Sequence, residues 1–309
     1  MKIFQQIDPP SKQARLKINR EATWYTWSPD FRCLFKAWNE QVEKLRSPVS
    51  IHLLRGKEYD DTYSIPISLI SDKVLLRDLL VFAEDLYALE IGDQLMLFTG
   101  LIDEDLCSRS LRYLLAFLRA ALVYCSGDPL SALCQPISRS QKTGKEFPLH
   151  SDLYIPAILF NVFDDAENDS SGASLFLSVA SVIELLGSVK SLPDDVRQRI
   201  TANLTRMHDR DCYEENYDLL HGCAHKWTQD LEQRMTRRQS KIKLYCGQGY
   251  MIHDRKWLHG RESLRGKLST KRLHRLIFNT KQTQCASIAS RSQNKSLALP
   301  ARKDFHNNS

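Results

Sequence analysis

Apolar residues recur along this chain with two different periods. Over Ser108 to Tyr124, Leu111, Leu114, Leu115, Leu118 and Leu122 fall at helical spacing on one face, which predicts a core-packing helix. Leu75 to Leu89 repeats that pattern more weakly. The character changes from Phe147 to Ser178, where the short apolar runs LYIPAILFNVF and ASLFL are separated by the polar, turn-rich DDAENDSSG. Such alternation predicts strands joined by a loop. Two helical segments follow, about Pro193 to Met207 and Glu214 to Arg238, and then the strand candidates KIKLYCG, GYMIHD and HRLIFN. The helices therefore read as an insertion within a sheet, while residues 1–145 mix helix and strand.

Composition sets outer bounds. At 309 residues with 42% hydrophobic and 9% aromatic content, the chain can bury a substantial core. No apolar run reaches the roughly 18 to 20 residues a membrane-spanning helix requires, and the opening MKIFQQIDPPSKQARLK lacks the apolar stretch of a signal peptide. A cytoplasmic protein is expected. Eight cysteines (Cys33, Cys107, Cys125, Cys134, Cys212, Cys223, Cys246, Cys285) are scattered without any CxxC pair, which fits reduced, packed thiols rather than disulfides or a zinc site. Beyond Thr280 the sequence turns to Ser, Gln, Asn, Lys and Ala, so a disordered tail over 281–309 is expected.

The net charge of +6 is unevenly placed. Arg255, Lys256, Arg261, Arg265, Lys267, Lys271, Arg272 and Arg275 crowd one short stretch against the single acid Glu262 past Asp254. A basic strip of this kind suits an anionic small molecule at least as well as a phosphate backbone. The tyrosines and tryptophans form no stacking platform, so nucleic-acid recognition has no specific support.

The most informative stretch is Phe147-Pro-Leu-His-Ser-Asp-Leu-Tyr154. On a strand, residues i and i+2 share a side, so His150 and Asp152 can offer an imidazole and a carboxylate to one ion. His259, within Gly249-Tyr-Met-Ile-His-Asp-Arg-Lys-Trp-Leu-His-Gly-Arg261, can come alongside from a loop or strand end if the strands close into an antiparallel barrel. Two histidines and one carboxylate are the ligand set of non-haem iron(II) oxygenases, because they leave coordination positions open for a 2-oxo acid and O2.

The surrounding sequence resembles the clavaminate synthase and taurine dioxygenase group of 2-oxoglutarate-dependent oxygenases. Separate pieces match in order: His150-Ser-Asp152; Ser171-Gly-Ala-Ser174, similar to the family's Gly-Gly-x-Thr turn; and His253-Asp-Arg-Lys-Trp-Leu-His259-Gly-Arg261, similar to its Asp-Asn-Arg-x-x-x-His-Gly-Arg block. The resemblance implies an α+β chain whose core is a double-stranded β-helix, jelly-roll or cupin-like, with flanking helices. It implies one oxygenase domain over 1–280, with barrel motifs in 146–189 and 239–280 and a helical insertion or lid over 190–238. It also implies Fe(II) held by His150, Asp152 and His259, with 2-oxoglutarate and O2 as co-substrates, and Ser174 helping to hold a carboxylate of 2-oxoglutarate. The family's Arg-x-x-x-Arg strand ending corresponds here to Lys271-Arg-Leu-His-Arg275. Lys271 then stands where the first arginine pairs with 2-oxoglutarate, as a point charge without the bidentate fork, and Arg275 stands at the second. A one-residue shift would pass the first role to Arg272, on the opposite side of a regular strand. The implied activity is hydroxylation of a small amino-acid-like or carboxylate-bearing substrate, with release of succinate and CO2.

Competing features are weaker. His221 and His225 share a helical face but lack the glutamate that the zinc-protease pattern places after the first histidine. His253 competes with His259 as the distal ligand, yet the Gly-Arg after His259 fits the family block better. His208 reads as a surface residue in a polar turn. Two other readings stay open: a non-catalytic barrel that binds a small ligand or partner, and a nucleic-acid-modifying oxygenase using the same iron.

Overall fold

The computed structural model describes residues 4–8, 22–44, 52–56, 59–64, 72–91, 93–100, 108–128, 132–137, 147–152, 158–163, 172–206, 220, 226–263 and 273–281. The expectations placed on His208, His221, His225, Lys271, Arg272 and the tail beyond Lys281 fall outside these residues. Among the described residues no helix is long and apolar enough to cross a membrane, and Cys33, Cys125, Cys134 and Cys246 are not in disulfides.

Strands alternate their side chains, and here that alternation separates the interior into distinct clusters. In β8 (Ile158–Phe163), Ile158, Phe160 and Val162 pack to one side while Leu159 and Phe163 pack to the other. The same split runs through β5 (Leu95–Thr99) and β11 (Gly249–His253), where Met96, Phe98 and Met251 oppose Leu95, Leu97, Tyr250 and Ile252. With β1 (Phe4–Ile7), β2 (Ala22–Trp27), β6 (Ala132–Ile137) and β13 (Leu273–Phe278), these strands form a seven-stranded sheet in the order β1-β2-β5-β11-β8-β13-β6. Its pairings are antiparallel except β2 with β5.

One face of this large sheet carries the helices α1 (Pro29–Lys44), α2 (Lys73–Tyr87) and α3 (Ser108–Ser126). Both periodic stretches found in the sequence are helical, over α3 and α2. Asp72 caps α2 by accepting from the backbone N–H groups of Val74 (2.9 Å) and Leu75 (3.1 Å), which satisfies donors that the first turn leaves open. Trp27 anchors the layer, its ring 5.5 Å from that of Phe35 and 5.6 Å from that of Phe98, both edge-on. A separate hairpin pairs β3 (His52–Gly56) with β4 (Tyr59–Ser64).

The other face meets a four-stranded antiparallel sheet, in the order β10-β9-β12-β7, built from β7 (Phe147–His150), β9 (Ser174–Ser178), β10 (Ser240–Ile242) and β12 (Trp257–Arg261). Phe176, Ile242 and Trp257 of this small sheet share a buried cluster with Leu95, Leu97, Leu159, Tyr250 and Ile277 of the large one. The two sheets are thus stacked face to face, with side chains filling the space between them. In chain order, β6 lies in the large sheet, β7 in the small, β8 in the large, β9 and β10 in the small, β11 in the large, β12 in the small and β13 in the large.

Between β9 and β10 the chain makes the helices α4 (Val179–Ser188), α5 (Asp194–Arg206) and α6 (Lys226–Arg238). The sequence expectation ended the strands at Ser178, where β9 ends, and began the first helix at about Pro193, so α4 is a helix it did not foresee. Ser178 ends β9 and caps α4, accepting from Ser181 N–H at 3.2 Å, so the chain turns from strand to helix without a loop. Of the helical insertion or lid expected over 190–238, residues 207–219 and 221–225 lie outside the described residues, and the described helices lie against the small sheet. Val182, Leu186, Leu204, Trp227, Leu231 and Met235 pack against Leu149, Leu175, Leu177 and Leu258, the face of the small sheet turned away from the large one. Their apolar stripes are committed to supporting that sheet from outside.

Candidate metal centre

The space between the sheets contains a polar group in an otherwise apolar interior. Among the described residues, one set of three candidate ligands clusters: His150, Asp152 and His259, each offering an atom within 4.8 Å of the others. His150 is the last residue of β7 and His259 the middle residue of β12, directly opposite one another in the antiparallel register. Facing residues of neighbouring strands point the same way, so both imidazoles enter the space between the sheets. Their ring centroids are 4.5 Å apart. The sequence expectation put His259 on a loop or strand end, whereas the ladder holds it within a strand. Asp152 lies two residues past the end of β7 and reaches both rings.

Gly260 makes this approach possible. A β-carbon there would meet the Phe147 carbonyl oxygen at 2.7 Å and Pro148 at 3.0 Å, so the residue after His259 must lack a side chain if β7 is to lie this close. The register between β12 and β7 also shifts between His259 and Arg261.

The hydrogen bonds favour a cation. The Nδ1 of His150 donates to the Pro148 carbonyl at 2.9 Å, which in the neutral ring turns the Nε2 lone pair toward Asp152 Oδ1, 3.2 Å away. A bare lone pair facing a carboxylate oxygen at that distance would repel it, so either a proton or a metal ion belongs between them. His259 Nε2 is 3.0 Å from Asp152 Oδ2, and neither ring nitrogen of His259 has a hydrogen-bond partner among the described residues, although the side chain is almost fully buried. Burial pushes the His259 imidazolium down to about 4, an effect only partly opposed by Asp152, so the ring is neutral and able to act as a ligand near pH 7. Burial alone would raise Asp152, but Arg275, then His259 and His150, hold its carboxyl well below the usual range.

The large sheet supplies the opposite wall. Tyr250 on β11, Asn161 on β8 and Arg275 on β13 are lateral neighbours across three adjacent strands. Arg275 pairs with Asp152 through Nη1 and donates from Nε to Asn161 Oδ1 at 2.8 Å. The Asn161 amide nitrogen is fully buried without a hydrogen-bond partner among the described residues. Burial raises the Tyr250 phenol and keeps it protonated. Behind the ligands, the buried Asp254 carboxylate receives Ser151 Oγ at 2.9 Å and the Asp152 N–H at 3.1 Å.

Of the residues singled out in the sequence, the structure therefore brings together His150, Asp152, His259 and Arg275. Ser174 opens β9, opposite Arg261 in register, on the same inward face as His259 and mostly buried. His253 ends β11 away from the cluster, its Nδ1 accepting from the Arg255 N–H at 3.3 Å. Sequence reasoning missed Asn161, Tyr250 and Asp254. Asn161 did carry a signal, as the lone polar residue in ILFNVF, a run buried at every position.

The donor set, its burial and the unpartnered nitrogens of His259 fit a divalent metal of the kind two imidazoles and a carboxylate hold. No protein-family model matches the chain, and no curated protein matches it. Among solved structures it is similar to the non-heme iron oxygenase OrfP in complex with Fe and L-homoarginine, at 13% identity over 83% of this chain and 93% of that chain, with a TM-score of 0.40. It is similar to OrfP in complex with Fe and alpha-ketoglutaric acid at 12% identity, over 83% of this chain and 94% of that chain, with a TM-score of 0.39. It is also similar to an asparagine oxygenase in complex with Fe(II), 2S,3S-3-hydroxyasparagine and succinate, at 11% identity over 84% of this chain and 94% of that chain, with a TM-score of 0.43.

Proposed function

We propose that this protein is a non-haem Fe(II)- and 2-oxoglutarate-dependent dioxygenase, with His150, Asp152 and His259 as its metal ligands. The observation that carries the reading is the convergence of these side chains in the space between two sheets, with neither His259 ring nitrogen in a hydrogen bond among the described residues. The alternation of β6 to β13 between the sheets supports describing residues 1–280 as one domain around a double-stranded β-helix, in which β7 and β12 are neighbours.

When bound, the iron supplies the chemistry that couples oxidative decarboxylation of 2-oxoglutarate by O2 to hydroxylation of a substrate C–H bond, leaving succinate and CO2. The protein's own residues have the remaining tasks. His150 and His259 are fixed by the strand ladder, which sets the ligand geometry before anything binds. Arg275 neutralises Asp152 and is placed to share its charge with an incoming carboxylate; Lys271 and Ser174 are the further candidates for holding 2-oxoglutarate. Phe176, opposite His259 in the β9–β12 register, and Tyr250, whose ring lies 6.5 Å from that of His259, would help to limit water beside the cluster. The proposed substrate is a small amino-acid-like or carboxylate-bearing molecule, which a basic site of this kind would hold.

The test is anaerobic addition of Fe(II) and 2-oxoglutarate to purified protein. The weak visible charge-transfer band of a 2-oxo acid on iron is the expected result, followed by succinate on admission of O2. Absence of the band in wild-type protein, or its persistence in both His150→Ala and Asp152→Ala, would overturn the assignment.

A further inference from the structure

We propose that Asp254 is a positioning residue for the metal, holding two of its three ligands through one buried carboxylate. The inference rests on the reading of His150, Asp152 and His259 as ligands.

Asp254 lies in the tight turn between β11 and β12, which the Lys256 N–H closes onto the His253 carbonyl at 2.9 Å. It is completely buried. A buried carboxylate is costly unless donors surround it, and the donors here come from the end of β7. Ser151 Oγ lies 2.9 Å from Asp254 Oδ2, and the Asp152 N–H lies 3.1 Å from both carboxylate oxygens. Ser151 Oγ also lies 2.9 Å from the Asp254 backbone oxygen. These contacts fix the backbone from which Asp152 reaches the ion.

The same carboxylate faces His259. Its Oδ1 is 3.9 Å from His259 Nδ1, beyond hydrogen-bond range, and that nitrogen has no partner among the described residues. His259 Nε2 points to Asp152 Oδ2, so Nε2 is the ligand atom and the proton belongs on Nδ1. A protonated, buried Nδ1 needs an acceptor, and the Asp254 carboxylate is the group that faces it. A carboxylate accepting from the far nitrogen of a ligating histidine fixes its tautomer and raises its basicity. Ser151, Asp152 and His259 all present donors, so an acceptor-only side chain suits the position. An amide would turn an NH2 group toward at least one of them.

The test is a Co(II) titration of the full chain followed by visible absorption, comparing wild type with Asp254→Asn and Ser151→Ala. In Asp254→Asn the Co(II) Kd should rise about 10- to 100-fold and the band position at saturation should shift, while the metal-free protein still folds, with a melting temperature lowered by the NH2 group turned toward a donor. Ser151→Ala, which removes one donor and leaves the carboxylate, should raise Kd only several-fold. If Asp254→Asn does not fold, Ser151→Ala decides, and an unchanged Kd there overturns the inference. Wild-type binding with both variants matching it in Kd and band position overturns the role of Asp254 alone. Failure of the wild type to bind Co(II) or Fe(II) removes the metal reading itself.

Discussion

His150 and His259 face each other across the β7–β12 ladder, with ring centroids 4.5 Å apart, so the separation of two proposed ligands is set by the spacing of paired strands. Metal should therefore stabilise the folded chain, because an unfolded chain cannot hold the two rings together. At a free Fe(II) or Co(II) concentration of about 100 times Kd, the gain should be about 2.7 kcal/mol, seen as a higher unfolding midpoint. His150→Ala and His259→Ala should lose this increment. A wild-type midpoint that ignores added metal would contradict the site.

Arg275 is buried against Asp152 and Asn161, so its removal leaves a carboxylate without its counter-charge. Arg275→Met should destabilise the metal-free protein by about 3 to 5 kcal/mol in chemical denaturation, the usual cost of breaking a buried pair from one side. Saturating Co(II) should restore part of that loss, because the cation takes over neutralisation of Asp152. Lys271→Ala should leave stability and Co(II) affinity unchanged and raise the KM for 2-oxoglutarate with little effect on kcat. An unchanged KM in Lys271→Ala would move the role to Arg272 or to Arg275 alone.

Two glycines should respond in opposite directions to the same substitution. In Gly260→Ala the new methyl meets backbone atoms of Phe147 and Pro148, so β7 must move away from β12, at about 1 to 3 kcal/mol and with weakened metal binding. Gly187 lies in α4 with nothing within 4 Å of an added β-carbon, and Gly187→Ala should stabilise by about 0.4 to 1 kcal/mol. Denaturant midpoints with and without Co(II) separate these effects. Equal behaviour of the two variants would remove the packing argument.

What the sequence disclosed follows physical lines. The helix Ser108–Ser126 was legible because its leucines recur at a single period, and the strand Ile158–Phe163 because it is a short apolar run bounded by turn residues. Its burial on both faces was not, since a continuous run does not say which residues face which layer. The helix Val179–Ser188 was hidden because VASVIELLG continues the apolar run of β9; only the capping geometry of Ser178 marks the change. At the candidate site, His150, Asp152 and His259 could be singled out from residue type and spacing. Asn161 stood out as the lone polar residue of an apolar run, but neither it nor Asp254 could be assigned a part, because the partners that give them one come from other segments of the chain. His253 and His259 sit six positions apart on successive strands, and only the fold separates a β11 terminus from an inward-facing β12 position.

These two histidines also give the metal-free protein its expected pH dependence. Burial, reinforced by Lys256 and Arg255, pushes His253 from an ordinary 6.5 down to about 4, and burial does the same to His259. The unfolded chain therefore binds more protons than the folded chain between about pH 6.5 and 4, and stability must fall as the pH drops through that window. Each group contributes up to about 3 kcal/mol to the fall, and Asp152, held below the ordinary carboxylate range, adds to it as the pH drops further. Denaturant titrations of metal-free protein at intervals from pH 7 to pH 4 should show this decline. His253→Gln, which removes one of the depressed groups and leaves the proposed ligands intact, should make the decline shallower by roughly the share of His253. A stability that stays level across the window in wild type, or an identical slope in His253→Gln, would show that these imidazoles are not buried in their neutral form.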